Sequence, residues 1–335
     1  MQEIKIHISS CSSHESFYGK ELKKTAALSQ VYLTKFTEDP DEADIIIIVD
    51  IDNTNLFENL RNNSVWRKYP NKAFGLYEGD CAPTFLHGLY SDARASRLNF
   101  NRFLGLDYHM HQLCFPNPVP DYQVVHNHHK DLLFSFAGRM SHKLRKKMLK
   151  FSYPEHTVKL VDTSNYNHFD PEGLNRTDFQ ESYWSLALRS KYVLCPKGAA
   201  ASSVRIFEMM EAGIAPVIIS DNWVPPYGPT WRDFAIIVPE KYLANLYCIV
   251  KAHEDEWAER GQKARVAWEE YFSPEKYWDF CLESINQLIS QKIMEERIFE
   301  KFYLSILIIQ KLKLMLFKVL LKSKALYNKY IVFTK

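Results

Sequence analysis

The chain has 335 residues, 46% of them hydrophobic, which is enough for one large core or two ordinary ones, and two is the better expectation at this length. Its net charge of +2 hides an asymmetry: residues 301–335 carry eight lysines and no acid, so the rest of the chain is acidic overall, which argues against a general nucleic-acid binder. Six cysteines (11, 81, 114, 195, 248 and 281) are scattered without a CxxC pair, which argues against a zinc site and a dense disulfide framework.

MQEIKIHISSC at the N-terminus alternates like a strand and lacks the apolar core of a signal peptide, so a cytoplasmic location is expected. A polar helical stretch, about 17–32, leads through TEDPDEAD to an apolar strand over 45–49, the opening of an α/β domain. Asp50 and Asp52 follow that strand with the spacing of a divalent-cation site on a diphosphate. Only one βα unit precedes them and a better anion loop lies near residue 200, so a polar strand end is the stronger reading. The apolar strand AFGLYEGD closes on Glu78 and Asp80, which lie two apart and so point to one side of an extended chain. One could orient its neighbours while the other takes a proton; two solvated acids at a strand end would look the same. A loop-rich region follows, up to Leu113.

Pro116-Asn117-Pro118-Val119-Pro120 reads as a linker between domains. His126, His128 and His129 beyond it have no partner at ligand spacing and suit a polar hinge rim. A second domain opens with an apolar strand over 132–136, then Gly138 and Arg139 before a basic helix. Arg139 is a candidate phosphate contact, whereas Arg145, Lys146 and Lys147 could equally be a solvated helix face. A strand over 158–161 and a helix over 181–190 come next.

The most informative stretch is YVLCPKGAAASSVRIFEMMEAGIAPVIISD, 192–221. It predicts a strand over 192–195, a small-residue loop, a helix over 204–212, a stop at Gly213 and a strand over 216–219. Such a βαβ unit offers backbone N–H groups and the positive end of a helix to an anion at the strand's carboxyl end. The anion is expected against Lys197, Gly198, Ser203 and Arg205. Arg205 and Glu208 share a helix face, either as a phosphate cation beside a sugar-binding carboxylate or as an ordinary surface pair. Beyond it the sequence predicts a short strand at 235–238, then helices over 243–250, 254–271 and 277–289, with Ser273 capping the last.

In the tail, Lys311, Lys313 and Lys318 interrupt the apolar run 302–321, which weakens a membrane-spanning reading. At about 100° per residue, Lys311, Lys318, Lys322 and Lys329 fall in one stripe opposite Leu, Ile, Met and Phe. That pattern fits a helix lying on an anionic membrane surface, with a partner-binding helix as the alternative.

The motifs YVLCPKG and SVRIFEMMEAGIAPVIISD, with Trp231 and Phe234 before IIVPE, resemble the nucleotide-sugar half of the exostosin family of glycosyltransferases. TEDPDEAD and LLFSFAGR are similar to other parts of that family. The resemblance implies an α/β fold of GT-B type, with two Rossmann-like domains facing a cleft, and inverting transfer from a nucleotide-diphosphate sugar with no metal cofactor. It places Arg205 on the diphosphate, Glu208 on the ribose and Arg139 as a further phosphate ligand; Lys197 stands where the family commonly has arginine. More faintly, Tyr77-Glu78-Gly79-Asp80 before Pro83 looks like the Tyr-x-Gly-Glu segment of bacterial α-1,3-fucosyltransferases, which implies Asp80 ahead of Glu78 as the catalytic base.

The expected organisation is therefore an acceptor-binding domain over 1–118, a nucleotide-sugar domain over 119–290 whose last helices cross back, and a basic tail over 291–335. The expected activity is transfer from a UDP-sugar to a glycan or glycolipid hydroxyl in bacterial surface polysaccharide synthesis, at the inner face of the membrane. The alternatives are a GDP-fucose-dependent fucosyltransferase and a non-catalytic scaffold of the same fold.

Overall fold

A computed structural model of the chain describes residues 2–12, 14–95, 101–167, 176–292 and 295–299. The chain separates into a large unit, Met1–Gln291, and a small one, Lys292–Lys335. The small unit is described only at 292 and 295–299, so the expected basic amphipathic tail lies outside the described residues.

Within the large unit there are two parallel sheets. The first runs in the order β2-β1-β3-β4-β5-β6, with β1 Gln2–Ser10, β2 Tyr32–Phe36, β3 Ile45–Val49, β4 Ala73–Tyr77, β5 Gly88–Tyr90 and β6 Phe103–Gly105. The second runs β11-β10-β9-β7-β8, with β7 Leu132–Gly138, β8 Val158–Asp162, β9 Ser190–Pro196, β10 Ala215–Ile219 and β11 Ile236–Ile237. Every strand pairing is parallel, so both faces of each sheet are covered, and central strands such as IIIIV at Ile45–Val49 are apolar throughout. In each sheet the chain reverses its direction of winding beside the first strand. In the second sheet this switch point lies between β7 and β9, where ligands of open α/β sheets bind outside the carboxyl ends.

The long apolar strands and the later helices fall where the sequence predicts them. Three strands do not. The expected helix over 17–32 ends at Ala26, and YLTKF becomes the edge strand β2, half-exposed and mixed in polarity. β5 and β6 are three residues each and lie inside the expected loop region; such short runs carry no periodicity of their own and are held by their neighbours. Ser273 does not cap the last helix, which begins at Tyr277 with Lys276 at the cap; the Ser273 hydroxyl instead donates to the Glu269 carbonyl.

The helix Tyr277–Ser290 packs against the first sheet although it follows the second. Trp278 Nε1 donates to Thr34 Oγ1 (2.9 Å), and Ser29 bonds the Asp279 carboxylate. The two sheets also meet through the segment after β5: Val224 N donates to the Ala93 carbonyl and Ala95 N to the Asn222 carbonyl.

Candidate functional site

Between the carboxyl ends of the two sheets lies a cavity of about 520 Å³. One wall comes from the first sheet, with Glu78, Gly79 and Asp80 after β4 and Tyr108 and His111 after β6. The other comes from the second sheet: Ala137–Arg139 at the end of β7, Thr163 and Tyr166 after β8, Gly198–Ala200, Ser202–Arg205 and Glu208 after β9, and Phe179, Gln180 and Tyr183 from the helix Arg176–Leu188. The second wall sits at that sheet's switch point.

The helix Val204–Ala212 organises the second wall. Ser203 holds the N-cap position without a side-chain capping bond, and Gly213 closes the helix in the left-handed region (φ 73°). That conformation favours glycine, and a Cβ there would also stand 2.4 Å from the Tyr122 ring. Arg205, one residue inside the helix, is only 8% exposed. Its guanidinium lies 4.8 Å from the Phe136 ring centroid, and Nη2 donates to the Ala137 carbonyl. Nε and Nη1 are buried with no partner. Burying donors unpaired costs about 1–3 kcal/mol each, so the Arg205 guanidinium holds two donors for which the protein itself supplies no acceptor. Gly138 makes the placement possible, since a Cβ on it would sit 2.7 Å from Arg205 Nη2.

Glu208, 3% exposed, is held at both oxygens: Asn117 Nδ2 donates to Oε1 (2.7 Å) and the Tyr183 hydroxyl to Oε2 (2.5 Å). Burial and the Glu208 carboxylate raise the Tyr183 pKa well above its usual value, so that hydroxyl stays a donor. Arg205 and Glu208 are thus both buried, which removes the surface-pair alternative. Arg139 is exposed at the cavity wall, Gly198 and Ser203 line it, and Lys197 is set apart, its ammonium 2.5 Å from Glu240 Oε1.

Arg145 is a finding that the sequence left open. It is buried rather than a solvated helix face, and its three donor nitrogens reach the carbonyls of Lys197 (3.1 Å), Arg139 (3.0 Å) and Pro196 (2.9 Å). It therefore clips the loop after β7 to the loop after β9. Burial and the nearby Arg205 lower its pKa to about 9, which leaves it a cation at neutral pH. Asn117 was equally hidden, since it sits within the Pro-rich punctuation and only the folded chain brings it to Glu208. Neither residue has a local pattern that could have singled it out.

On the first wall the two acids differ. Glu78 accepts from the backbone N–H of Met110 (3.0 Å) and His111 (2.7 Å) at the start of a short helix. Burial and the neighbouring Asp107 carboxylate raise its pKa well above the usual value. Asp80 is exposed on the wall, and its carboxylate makes no hydrogen bond or ion pair among the described residues. Asp50 and Asp52 do not line the cavity: Asp50 accepts from Ser10 Oγ (2.6 Å), and Asp52 from Thr54 Oγ1 (2.5 Å). Among the described residues, no three His, Cys, Asp or Glu side chains converge as a metal site.

Residues 109–253 match the Exostosin GT47 domain. A probable glycosyltransferase of Arabidopsis thaliana is 37% identical over 71 residues, 21% of this chain and 14% of that protein. Exostosin-1a of Danio rerio is 28% identical over 134 residues, 39% of this chain and 17% of that protein. The chain thus spans about a sixth or less of the length of these curated relatives. Among solved structures, MurG of Acinetobacter baumannii is 11% identical with a TM-score of 0.35, covering 84% of this chain and 100% of that one, a likeness too slight to argue from. The matched residues take in the second sheet and its wall of the cavity.

Proposed function

We propose that this chain of the exostosin family is an inverting glycosyltransferase that binds a nucleotide-diphosphate sugar on the second sheet and an acceptor hydroxyl on the first. The observation that carries this reading is Arg205, buried at the switch point, where it lines the 520 Å³ cavity and keeps two donors without a partner in the protein. A diphosphate there would take hydrogen bonds from the Arg205 guanidinium, from the N–H groups that open the helix Val204–Ala212 and from Arg139 at the rim. Glu208, already aimed by Asn117 and Tyr183, has lone pairs left for ribose hydroxyls.

In this mechanism Asp80 takes the proton from the acceptor hydroxyl as its oxygen attacks the anomeric carbon. The bond from that carbon to the diphosphate oxygen breaks on the opposite face, the nucleoside diphosphate leaves with the electron pair, and the configuration inverts. Asp80 suits the base because its carboxylate is free at the cavity wall. Glu78 is committed to two backbone N–H groups and suits a positioning role. Charge growing on the leaving diphosphate is met by fixed donors, which such sites use instead of reorganising solvent. The reading needs no metal ion, and the positions of Asp50 and Asp52 away from the cavity support it. A UDP-sugar donor, a lipid-linked or surface glycan acceptor and attachment to an anionic membrane through 301–335 complete the proposal. Among the described residues no helix is long and apolar enough to cross a membrane.

Calorimetry with nucleoside diphosphates, comparing the wild type with Arg205→Ala, tests the central assignment. Loss of two charge-assisted hydrogen bonds should weaken binding about 100-fold. Unchanged affinity in the variant would overturn the placement of the donor.

A further inference from the structure

The loop Lys197–Ser203 is held from behind by the other half of the molecule. Asp92, two residues beyond β5 of the first sheet, is 3% exposed. Its Oδ1 accepts from Ala201 N at 2.6 Å and from Arg94 Nε at 2.8 Å. Arg94 continues the contact, its Nη2 donating to the Ala199 carbonyl at 2.8 Å. The backbone pairs as well, Arg94 forming an antiparallel bridge with Trp223.

The loop therefore has two sides. Ala199, Ala200, Ser202 and Ser203 line the cavity, whereas Ala201, Asp92 and Arg94 do not. Ala201 directs its N–H to the Asp92 carboxylate, on the far side from the proposed diphosphate. A run of alanines and serines has little side-chain packing to define its own shape, and an unbraced loop would have to be ordered at the expense of binding energy. A buried carboxylate bonded both to that loop and to an arginine is a strong brace, because charge-assisted bonds are about twice as strong as neutral ones.

We infer that Asp92, with Arg94 as its partner, is a positioning residue for the donor diphosphate, by which the acceptor-side sheet holds the phosphate-binding loop in its binding shape. This rests on the donor site proposed above. The brace also makes donor affinity depend on the sheet that carries Asp80, so the two halves act as one site. Asp92 touches neither donor nor acceptor in this arrangement. Its effect is carried through the loop and is confined to the phosphates.

The test is titration calorimetry on the full chain with uridine and with UDP, on the wild type, Asp92→Ala and Arg94→Met. The expected result is that Asp92→Ala binds UDP about tenfold more weakly while uridine affinity is unchanged, and that Arg94→Met shows the same selective loss to a smaller degree. An equal loss for both ligands, which general loosening of the fold would give, overturns the inference, as does full UDP affinity in both variants. Should Asp92→Ala fail to fold, the partly exposed Arg94→Met decides the matter by the same comparison. If wild-type protein binds neither UDP nor any other nucleoside diphosphate, it is the donor-site reading that falls, an outcome distinct from a wild type that binds and variants that bind equally.

Discussion

The two walls of the cleft are built on different physical terms. On the second sheet the key groups are buried and packed in place: Arg205 over Phe136, Glu208 bonded at both oxygens, and Arg145 spanning three carbonyls. On the first sheet two of the strands, β5 and β6, are three residues long, and Asp80 is exposed with no hydrogen bond or ion pair among the described residues. A rigid wall suits a constant ligand part such as a diphosphate and ribose, whereas an open wall leaves the acceptor to be met by a few polar contacts.

The sharpest way to break that contrast is to remove function from one wall only. Asp80→Asn should lower transfer about 1,000-fold, within the range general bases contribute, while nucleoside diphosphate affinity stays at the wild-type level. Turnover near the wild-type rate would return the role of base to Glu78. A smaller effect is expected on the rigid wall: Asn117→Ala removes one of the two bonds that aim Glu208 and should weaken nucleoside binding about fivefold to tenfold, seen by calorimetry. Equal affinity would mean that Tyr183 alone suffices.

Acid should tell the walls apart as well. His109, buried on the first-sheet side and stacked on Tyr277 at 4.2 Å, has its pKa lowered to about 4 by burial. An unfolded chain binds that proton near pH 6.5, so the unfolded state holds more protons between the two values and stability falls as pH drops from about 6.5 to about 4. His109→Phe should remove up to about 3 kcal/mol of that acid sensitivity in denaturant titrations at pH 7 and pH 4.5. Parallel losses in wild type and variant would show that His109 is not the source. The smallest effect on the cleft belongs to the tail. Truncation of 301–335 should leave nucleotide affinity intact while abolishing sedimentation with anionic vesicles, and pelleting by the truncated protein would remove the membrane role.

Much of the rigid wall was legible in the sequence because its determinants are local. A continuous apolar strand, a loop of small residues, a helix and a left-handed glycine are consecutive, so 192–221 predicts its own βαβ geometry and the helix start that carries Arg205. β2, β5 and β6 were not legible, because an edge strand of mixed polarity and two three-residue strands are stabilised by the neighbours they pair with.

By itself, then, the sequence determined the α/β alternation, the unit that forms the phosphate-binding wall and the acids at the end of β4, since each follows from residues close together in the chain. Only the tertiary structure decided that Arg145 is buried, that Asn117 and Tyr183 aim Glu208, and that Asp92 braces the loop from the other sheet. The bonds to Glu208 and from the loop to Asp92 join residues 25 to 109 positions apart, and no local pattern encodes a partner that far away. The same distinction separates Asp80 from Glu78: they are two residues apart on one strand end, and the difference between a free carboxylate and a bonded one is made by a helix that begins near residue 109.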